Sequence, residues 1–292
     1  LGACKGTVVT GAASALFSDG QQLQVYRHGT TTRLPDSSGP LLVGVVGQRW
    51  VARAQDNRIE LWDLRSGQKF KFAGQHELAI NWLALSADEK QLVSAGEDKK
   101  VRTWSLPDGR QVLPEIVGDM AMLHASFSPD GASLVTCNYN GTVRLWRASD
   151  HAPICPPLKH RWMVYSASFS PTGEQFVTTS IDGSARVWET STGKLVSPFL
   201  EHGSPVRLAS LSLDGKELAT AALDGGIRRF SLQPNPRQRI LQQSGQKVVS
   251  ADLHPDGRRA LLALPSELQL WDLSSGRLLR SQKVEGVLKV AR

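Results

Sequence analysis

Seven aromatic residues divide this chain into units of nearly constant length. Each closes a short alternating segment, and together they are Tyr26 in LQVY, Trp62 in IELW, Trp104 in VRTW, Trp146 in VRLW, Trp188 in ARVW, Phe230 in IRRF and Trp271 in LQLW. The successive gaps are 36, 42, 42, 42, 42 and 41 residues, so seven units fill the 292 positions. A fixed period of this length indicates a fold that stacks one supersecondary unit. We expect one repeat domain over residues 1–292, and the absence of an initial Met leads us to expect a longer parent polypeptide.

Each unit has the pattern of four short strands. The fourth unit predicts strands over residues 123–128, 132–138 and 142–146, with residues 153–156 leading into a fourth strand. Ser128-Pro129-Asp130-Gly131 is turn chemistry, and Asn140-Gly141 is a tight hairpin signal. No stretch longer than a turn has an apolar period of 3.6 residues, so we predict an all-β chain without helices.

Two units carry a fuller set of recurring residues. The third contains His76, Ser94, Asp98 and Trp104, and the fifth repeats the same spacing with the set His160, Thr178, Asp182 and Trp188. With these motifs and its period, the sequence resembles the tryptophan–aspartate (WD) repeat family over its full length. The resemblance implies a seven-bladed β-propeller with four antiparallel strands per blade. It also implies that the four side chains form a hydrogen-bonded set inside each blade.

The other units keep less of this set. The sixth has His202, Thr220 and Asp224 but ends in Phe230, which lacks an indole N–H. The fourth keeps two members and replaces the others, with the four positions held by Gly118, Thr136, Asn140 and Trp146. Units one, two and seven keep little beyond the closing aromatic. Since propellers usually close by pairing the two chain ends, we predict that Val287–Ala291 pairs beside the first blade.

Several side chains invite a catalytic or metal-binding interpretation. His76, His160 and His202 fall in three different units, and the fold would space them around a ring, too far apart to share a metal ion. Buried polar groups normally need hydrogen-bond partners, so we expect structural roles for them and for the hairpin carboxylates Asp98, Asp182 and Asp224. We predict no catalytic residue, no metal ion and no cofactor.

Four arginines also share the 42-residue step: Arg102, Arg144, Arg186 and Arg228. Each lies two residues before the closing aromatic and therefore on the same face of its strand. We expect them to form a structural contact from blade to blade rather than a binding site.

The net charge of +7 is concentrated in the last quarter of the chain. From Leu223 onward there are 12 Lys/Arg and 6 Asp/Glu, which leaves 22 and 21 in the first 222 residues. Such a basic region can attract acidic proteins, nucleic acid or anionic lipid at long range. After Phe230 the only aromatic is Trp271, which belongs to the repeat, so stacking platforms for single strands are missing. We predict no specific nucleic-acid recognition.

Cysteine content and hydropathy bear on the compartment. Cys4, Cys137 and Cys155 are odd in number and lack metal-site spacing, which favours a reducing compartment. No apolar run has the length of a membrane span and no leader is visible, so we predict a cytoplasmic protein.

The resemblance also indicates where partners dock. In the family, partners bind the face formed by the loops before the first strands and by the hairpins between the second and third strands. Two kinds of position carry over, namely the residue before the hairpin Asp and the residues at the start of the first strand. On blades four to six we select seven of them as the predicted protein-binding set: Leu123, Tyr139, Met163, Tyr165, Ile181, Arg207 and Leu223.

These residues favour a non-catalytic scaffold or sensor that binds a protein, a peptide or an adjacent domain of the same polypeptide. The wording of the repeats is similar to bacterial WD-repeat proteins, in which propellers follow a signalling kinase or ATPase. That resemblance implies a regulatory module of a larger signalling protein, and we expect the propeller itself to be monomeric. Two alternatives stay open: a propeller enzyme with a metal site at the channel mouth, and electrostatic docking of nucleic acid or membrane by the basic C-terminal blades.

Overall fold

The computed structural model describes residues 8–11, 14–18, 21–27, 30–38, 41, 43–197, 200–232, 238–243, 250–253, 259–264, 267–273 and 275–283. Within these ranges the secondary structure consists of strands, turns and bends, without a helix. The prediction of an all-β chain is therefore confirmed for this part of the molecule. The segment Val287–Ala291, for which we predict a role in ring closure, lies outside it.

The strands of the described residues group into seven sheets, numbered here in chain order. Sheet 1 contains β1 (Val8–Gly11), β2 (Ser14–Ser18), β3 (Leu23–Arg27) and β4 (Thr30–Arg33). Sheet 2 contains β5 (Val43–Val46), β6 (Trp50–Gln55), β7 (Arg58–Asp63) and β8 (Lys69–Phe70). Sheet 3 contains β9 (Ile80–Leu85), β10 (Gln91–Gly96), β11 (Lys100–Ser105) and β12 (Ile116–Val117). Sheet 4 contains β13 (Met122–Phe127), β14 (Ser133–Asn138), β15 (Thr142–Arg147) and β16 (Leu158–Lys159).

The remaining sheets follow the same plan. Sheet 5 contains β17 (Val164–Phe169), β18 (Gln175–Ser180), β19 (Ser184–Glu189) and β20 (Leu200–Glu201). Sheet 6 contains β21 (Val206–Leu211), β22 (Glu217–Ala222), β23 (Gly226–Ser231) and β24 (Gln238–Gln243). Sheet 7 contains β25 (Ser250–Leu253), β26 (Arg259–Ala263), β27 (Glu267–Asp272) and β28 (Arg277–Lys283).

Every sheet is formed by four consecutive strands paired in chain order, and every pairing is antiparallel. Short connections produce this order because a hairpin places each strand beside the one before it. In sheet 4 the first three strands match the predicted ranges to within one residue. The fourth strand is Leu158–Lys159, beyond the predicted lead at 153–156, in which Pro153 forms only a single bridge to Trp146.

The first strands of successive sheets lie side by side. In every neighbouring pair, Cα atoms of the two first strands approach within 8 Å. The pairs are β1 and β5, β5 and β9, β9 and β13, β13 and β17, β17 and β21, β21 and β25, and finally β25 and β1. The contacts between first strands therefore return to their starting point. This arrangement is consistent with a propeller, in which the first strands surround a central axis.

The apolar core lies between neighbouring sheets. One cluster joins Val135 and Leu145 of sheet 4 to Val164, Phe176 and Trp188 of sheet 5, all of them buried. The equivalent cluster between sheets 5 and 6 includes the closing residue Phe230. Because each sheet is covered on both faces, strands such as β14 are buried at all six positions rather than at alternate ones. The repeat thus stacks the sheets face to face and leaves their ends open to solvent.

Candidate functional site

The four-residue set of sheet 3 is fully assembled. The His76 ring lies with Nδ1 2.9 Å from Asp98 Oδ1 and Nε2 2.6 Å from Ser94 Oγ, and the Trp104 indole donates to Ser94 Oγ at 2.7 Å. A proton on Nδ1 gives each donor an acceptor, because Nδ1–H then donates to the carboxylate and the Ser94 hydroxyl donates to Nε2. The set ties the hairpin, the second strand and the third strand of the sheet together.

Burial and pairing fix the charges in this set. Burial lowers the pKa of His76, so the ring is neutral near pH 7. Burial alone would raise the pKa of Asp98, but hydrogen bonds from Arg102, His76 and the Glu77 backbone N–H outweigh it and lower that pKa to about 2. The carboxylate is therefore ionised, buried and fully engaged, as in a structural ion pair.

Sheet 5 repeats the arrangement. His160 contacts Asp182 Oδ2 at 3.2 Å and Thr178 Oγ1 at 2.7 Å, and the Trp188 indole donates to the same hydroxyl at 2.8 Å. Burial lowers the pKa of His160. The carboxylate of Asp182 also accepts a hydrogen bond from the Ser184 hydroxyl. The bonding that the WD resemblance implies is thus present in both of the units that carry all four residues.

Sheet 6 departs from the implied arrangement although three of the residues are the same. His202 Nε2 lies 2.7 Å from Thr220 Oγ1, but Nδ1 is 2.8 Å from the Leu200 carbonyl oxygen instead of the hairpin carboxylate. Asp224 accepts from the Gly226 backbone N–H at 2.8 Å and is partly exposed. Burial lowers the pKa of His202 to about 4. The His–Asp contact expected for this unit is therefore absent.

Sheet 4 replaces the His–Asp contact with a different one. Asp119 follows the glycine that stands at the His position, and its carboxylate accepts from Asn138 Nδ2 and from Asn140 Nδ2, both at 2.7 Å. These bonds replace the His–Asp contact between loop and hairpin that sheet 3 contains. In sheet 4 the carboxylate lies on the loop and the amides lie on the hairpin side, whereas in sheet 3 the carboxylate lies on the hairpin. The indole of Trp146 still donates to Thr136 Oγ1 at 3.0 Å.

The repeated arginines act mainly within their own sheets, which corrects the expectation of a blade-to-blade contact. Arg102, Arg186 and Arg228 each pair with the hairpin aspartate four residues earlier, at 2.7, 3.5 and 3.6 Å. Arg186 also donates to the Lys159 carbonyl oxygen of the preceding sheet. Arg144 is exposed, and Asn140 leaves it without the carboxylate that the other three use.

One end of the molecule is held by a continuous series of backbone hydrogen bonds between loops and hairpins; we call it the hairpin end. In sheets 3 to 6 the hairpin between the second and third strands donates to the loop before the first strand of the same sheet: Glu97 to Ala79, Tyr139 to Ala121, Ile181 to Met163, and Leu223 to Pro205, at 2.9–3.1 Å. Each such loop in turn donates to the hairpin of the preceding sheet: His76 to Asn57, Gly118 to Lys99, His160 to Gly141, and His202 to Gly183. Hairpins and loops of neighbouring sheets therefore form one connected surface.

A β-bulge recurs at the start of the first strand in sheets 3 to 6. The pairing register shifts across one unpaired residue in each, and these residues are Asn81, Leu123, Tyr165 and Arg207. A bulge places two residues opposite one and re-aims a side chain away from the regular pleat. Three of these four residues belong to the predicted binding set. In sheets 4 and 5 the bulge distinguishes Leu123 and Tyr165 from the buried residues on either side.

The structure brings the seven predicted residues to the hairpin end. Tyr139, Ile181 and Leu223 lie in the hairpins, Leu123, Tyr165 and Arg207 are the bulged residues, and Met163 lies in the loop before sheet 5. Tyr139 is 55% exposed and Ile181 40%, and the other five are half-buried. The Arg207 guanidinium lies over the Tyr165 ring, with Cζ 4.6 Å from the ring centroid.

A second set of exposed apolar residues at this end was not predicted. Leu78, Met120 and Trp162 lie in the loops before the first strands and are 55%, 41% and 60% exposed. They too are spaced by 42 residues, three positions before the bulged residue of each sheet. The 42-residue spacing of these three residues can therefore be found in the sequence. Their exposure cannot, because the buried closing aromatics and the core residues are apolar and repeat with the same period.

Two basic residues of the last quarter pair with carboxylates. Within the described ranges, Arg228 pairs with Asp224, and Arg229 pairs with Glu217 and donates to the Leu273 carbonyl oxygen at 3.4 Å. Another three lie on the outermost strand of sheet 7: Arg277, Arg280 and Lys283. Arg237, Lys247 and Arg258 fall outside the described residues.

Neither a metal cluster nor a spanning helix is found where the structure is described. Those residues include no group of three or more His, Cys, Asp or Glu side chains placed to hold a metal ion. They also include no helix with the length and apolarity to cross a membrane.

Comparison with known proteins agrees with the geometry. The family model described as "WD domain, G-beta repeat" matches residues 67–105, 116–147 and 157–189. The crystal structure of a computationally designed protein, Ika8, superposes with a TM-score of 0.78, at 17% sequence identity, over 99% of this chain and 89% of the designed one. At that identity the likeness concerns the fold alone. The search of curated proteins gave no match. The three repeats and the structural likeness support a WD-repeat β-propeller.

Proposed function

We propose that the seven sheets are the blades of one closed seven-bladed WD propeller, and that this propeller binds a protein or peptide without catalysing a reaction. Repeats of this family generally serve as protein-interaction scaffolds. The proposal extends to a regulatory role in a larger bacterial signalling protein, in the cytoplasm, with the propeller monomeric. The observation that carries it is the exposed apolar surface at the hairpin end of sheets 4 and 5.

That surface is larger than isolated apolar residues would give. Met120 and Tyr139 belong to sheet 4, Trp162 and Ile181 belong to sheet 5, and each is at least 40% exposed. Their loops and hairpins are joined by the backbone bonds described above, so the four side chains stand on one connected surface. Contiguous apolar surface is costly to leave in water and tends to mark interaction sites in soluble proteins.

The backbone at this end also favours binding. Hydrogen bonds hold both sides of the loop before sheet 5: the His160 N–H donates to the Gly141 carbonyl oxygen, and the Met163 carbonyl oxygen accepts from the Ile181 N–H. A surface that is ordered before binding loses little conformational entropy when the partner arrives. Tryptophan, tyrosine and arginine are enriched among residues that dominate binding energies, and all three types are present here.

The alternatives fit these residues less well. A propeller enzyme would need polar side chains at the hairpin end, where sheets 4 and 5 have Leu123, Tyr139, Tyr165 and Ile181. Docking of nucleic acid or membrane by the last quarter would need a common basic surface. Arg228 and Arg229 are instead engaged in ion pairs.

A peptide display experiment tests the proposal. Random heptapeptides displayed on phage would be selected on the immobilised chain, and the binding of selected peptides measured in solution. We expect Trp162→Ala with Tyr139→Ala to weaken binding at least tenfold. The matched control Leu213→Ala removes a side chain that is 59% exposed in the turn between β21 and β22, away from the hairpin end, and should not change it. Selection of no peptide, or equal binding by all variants, would contradict the proposal.

A further inference from the structure

We infer that β28, the outermost strand of sheet 7, binds an extended acidic segment of a partner protein, which adds to the sheet as a further strand. The inference goes beyond the proposed function, because β28 lies on a different sheet from the exposed apolar residues of sheets 4 and 5. This strand differs from the fourth strands of sheets 2 to 5 in its length, and it is both exposed and basic.

β28 is long for an outermost strand of this molecule. It extends over seven residues, Arg277–Lys283, and pairs with β27 along its whole length. The fourth strands of sheets 2 to 5 are β8, β12, β16 and β20, and each has only two residues. Proteins commonly keep edge strands short, because an unpaired edge presents N–H and C=O groups that another strand can bind. Sheet 7 lacks this protection.

The other edge of β28 has no partner strand among the described residues. In an antiparallel pair every second residue directs its N–H and C=O away from its partner strand, so an edge of this length offers about three such residues. Six of the seven side chains are exposed, and only Gln282 is half-buried. As far as the described residues extend, the edge is therefore accessible over the length of an ordinary strand, about five to six residues.

A β-bulge in β28 carries exposed apolar side chains. The pairing passes from Leu270 opposite Arg280 to Trp271 opposite Leu278, so that Leu279 has no opposite residue. Leu278 is 43% exposed and Leu279 is 52% exposed. Burial of apolar surface is favourable, so a strand that covers these two adjacent leucines gains binding energy in addition to its backbone hydrogen bonds.

The charge of β28 selects an acidic partner. Arg277, Arg280 and Lys283 are exposed, and they form no ion pair with the residues that the structure describes. Opposite charges on facing or diagonal positions of two paired strands attract each other. Carboxylates at alternate positions of an added strand therefore place a negative charge within reach of each of the three cations.

β27 contributes two carboxylates beside these cations. Glu267 stands opposite Lys283, and Asp272 stands opposite Arg277, whereas Arg280 has an apolar residue opposite. Both carboxylates are half-buried and already accept hydrogen bonds, Glu267 from two side chains and Asp272 from a backbone N–H. They lie on the inner side of β28, so its outer side keeps an excess of positive charge for a partner.

A second copy of β28 and a nucleic acid strand fit this edge less well. In an antiparallel pair of two copies centred on Arg280, that residue would face its counterpart and Arg277 would face Lys283. Like charges directly opposite each other destabilise a strand pair, so the cations that favour an acidic segment disfavour self-association. β28 also contains no aromatic residue on which a base could stack.

Fluorescein-labelled octapeptides test the inference on the full chain. All carry Val or Thr at alternate positions, and the other positions are Glu in one pool, Gln in the second and Lys in the third. By fluorescence anisotropy we expect the Glu pool to bind at least tenfold more tightly than the Gln pool, and the Lys pool to bind most weakly. Arg277→Gln with Arg280→Gln should reduce the Glu pool to the level of the Gln pool. Arg110→Gln, at a side chain 81% exposed in the turn after β11, should have no effect.

Methylation of the peptide backbone tests the strand pairing itself. Methyl groups on the nitrogens of two successive central residues obstruct both edges of an extended peptide and leave its side chains in place. We expect a methylated peptide of the Glu pool to bind at least tenfold more weakly than the same peptide without methyl groups. Equal binding would show that charge alone holds the peptide and would overturn the inference. This comparison needs no change in the protein, so it stays decisive if an arginine variant fails to fold.

The remaining outcomes identify other occupants, and each would overturn the inference. Trp162→Ala should leave binding of the Glu pool unchanged, and its loss in that variant would place the peptide at the hairpin end and leave the proposed function standing. Tighter binding of a twelve-residue oligothymidylate than of any pool would assign β28 to nucleic acid. A dimer of the full chain that Leu279→Lys dissociates would assign it to a second copy. Tighter binding of the Glu pool by a chain ending at Lys283 than by the full chain would assign it to the last residues of this chain.

Discussion

Single hydroxyl groups organise the interior of the repeats. In sheet 5 the Thr178 hydroxyl serves both His160 and Trp188, whereas in sheet 6 the Thr220 hydroxyl serves His202, beside Phe230, which offers no donor. Buried polar atoms that lose a partner cost more than the bond itself contributes, because they were desolvated to form it. Removal of the hydroxyl is therefore expected to lower the free energy of unfolding more in sheet 5 than in sheet 6.

This difference is measurable by replacing threonine with valine, which keeps the shape and removes the hydroxyl. We expect Thr178→Val to lower the free energy of unfolding by about 2–4 kcal/mol, since two buried partners are left unsatisfied. Thr220→Val should cost less, because His202 and, at 3.4 Å, the Arg228 carbonyl oxygen lose the hydroxyl but no indole N–H depends on it. Urea denaturation of both variants checks the order, and an equal loss in the two would show that the indole bond contributes nothing.

His124 provides a second prediction at this scale. It is buried against the Trp82 ring, with centroids 4.3 Å apart, and its Nδ1 has no hydrogen-bond partner. Burial lowers its pKa to about 3 from an ordinary value of 6.5, so the folded protein holds the neutral ring. Because the folded pKa lies below the unfolded one, the stabilising contribution is complete above pH 6.5 and is lost as the pH falls toward 3.

Replacing this ring isolates its share of the acid sensitivity. We expect His124→Leu to remove about 2 kcal/mol of the stability loss between pH 6.5 and 4.5, as Leu has no proton to bind. Leucine already stands at the equivalent position in sheet 6, as Leu208. His151→Gln, at a partly exposed ring, is the control and should keep most of the pH dependence. An unchanged pH profile in His124→Leu would show that the other buried histidines account for the effect.

Among the elements, the strands were far more predictable than the bulges. Alternation and turn residues placed the first three strands of sheet 4 to within one residue, because strand pattern and turn chemistry are local properties. The bulges at Leu123, Tyr165 and Arg207 depend on how two strands pair. The residue types at these three positions have nothing in common that would predict a bulge from the sequence. The period still placed Tyr139 and Ile181 in the hairpins, where they lie.

The candidate binding surface also has one part that the sequence predicts and one part that it does not. Positions defined by the repeat could be selected from the sequence, and the structure brings all seven of them to one end. Trp162 is not in the predicted set because the exposure of a side chain depends on what the neighbouring sheet covers, and an apolar residue in a repeat fits the core as well as the surface. The Leu200 contact of His202 was also unpredictable, since the motif residues match those of sheets 3 and 5.

The loop–hairpin contact of sheet 4 can be tested by exchanging its two partners. Asn140→Asp should set two carboxylates against each other at Asp119 and lower the melting temperature, and Asp119→Asn should lower it by losing two charge-assisted bonds. Asp119→Asn with Asn140→Asp restores an amide opposite a carboxylate. We expect a favourable coupling energy of about 1 kcal/mol in this double-mutant cycle, modest because the groups are exposed. Strictly additive single effects would mean that the two side chains do not interact in solution.

At the scale of the whole molecule, the apolar core is formed between sheets, so that each apolar cluster is completed by side chains of a neighbouring sheet. The clusters that include Trp188 and Phe230 each draw residues from two sheets, and the described parts of sheets 1 and 7 meet through β1 and β25. A repeat protein with only nearest-neighbour contacts can lose a terminal unit and keep the rest. A closed ring cannot, because removal of one sheet exposes the core faces of two others.

Ending the chain at Ser231 distinguishes these cases, since it removes β24 and sheet 7 together. If the ring is closed, we expect the shortened chain to lose its single cooperative thermal transition and to bind a dye specific for exposed apolar surface, because sheets 1 and 6 would both lie open. Ending the chain at Lys283 instead keeps every described strand and removes the predicted closing segment Val287–Ala291, so it separates the loss of that segment from the loss of a whole sheet. A shortened chain that melts cooperatively near the temperature of the full chain would show that the contact between β1 and β25 adds little, and that the molecule behaves as an open array of sheets.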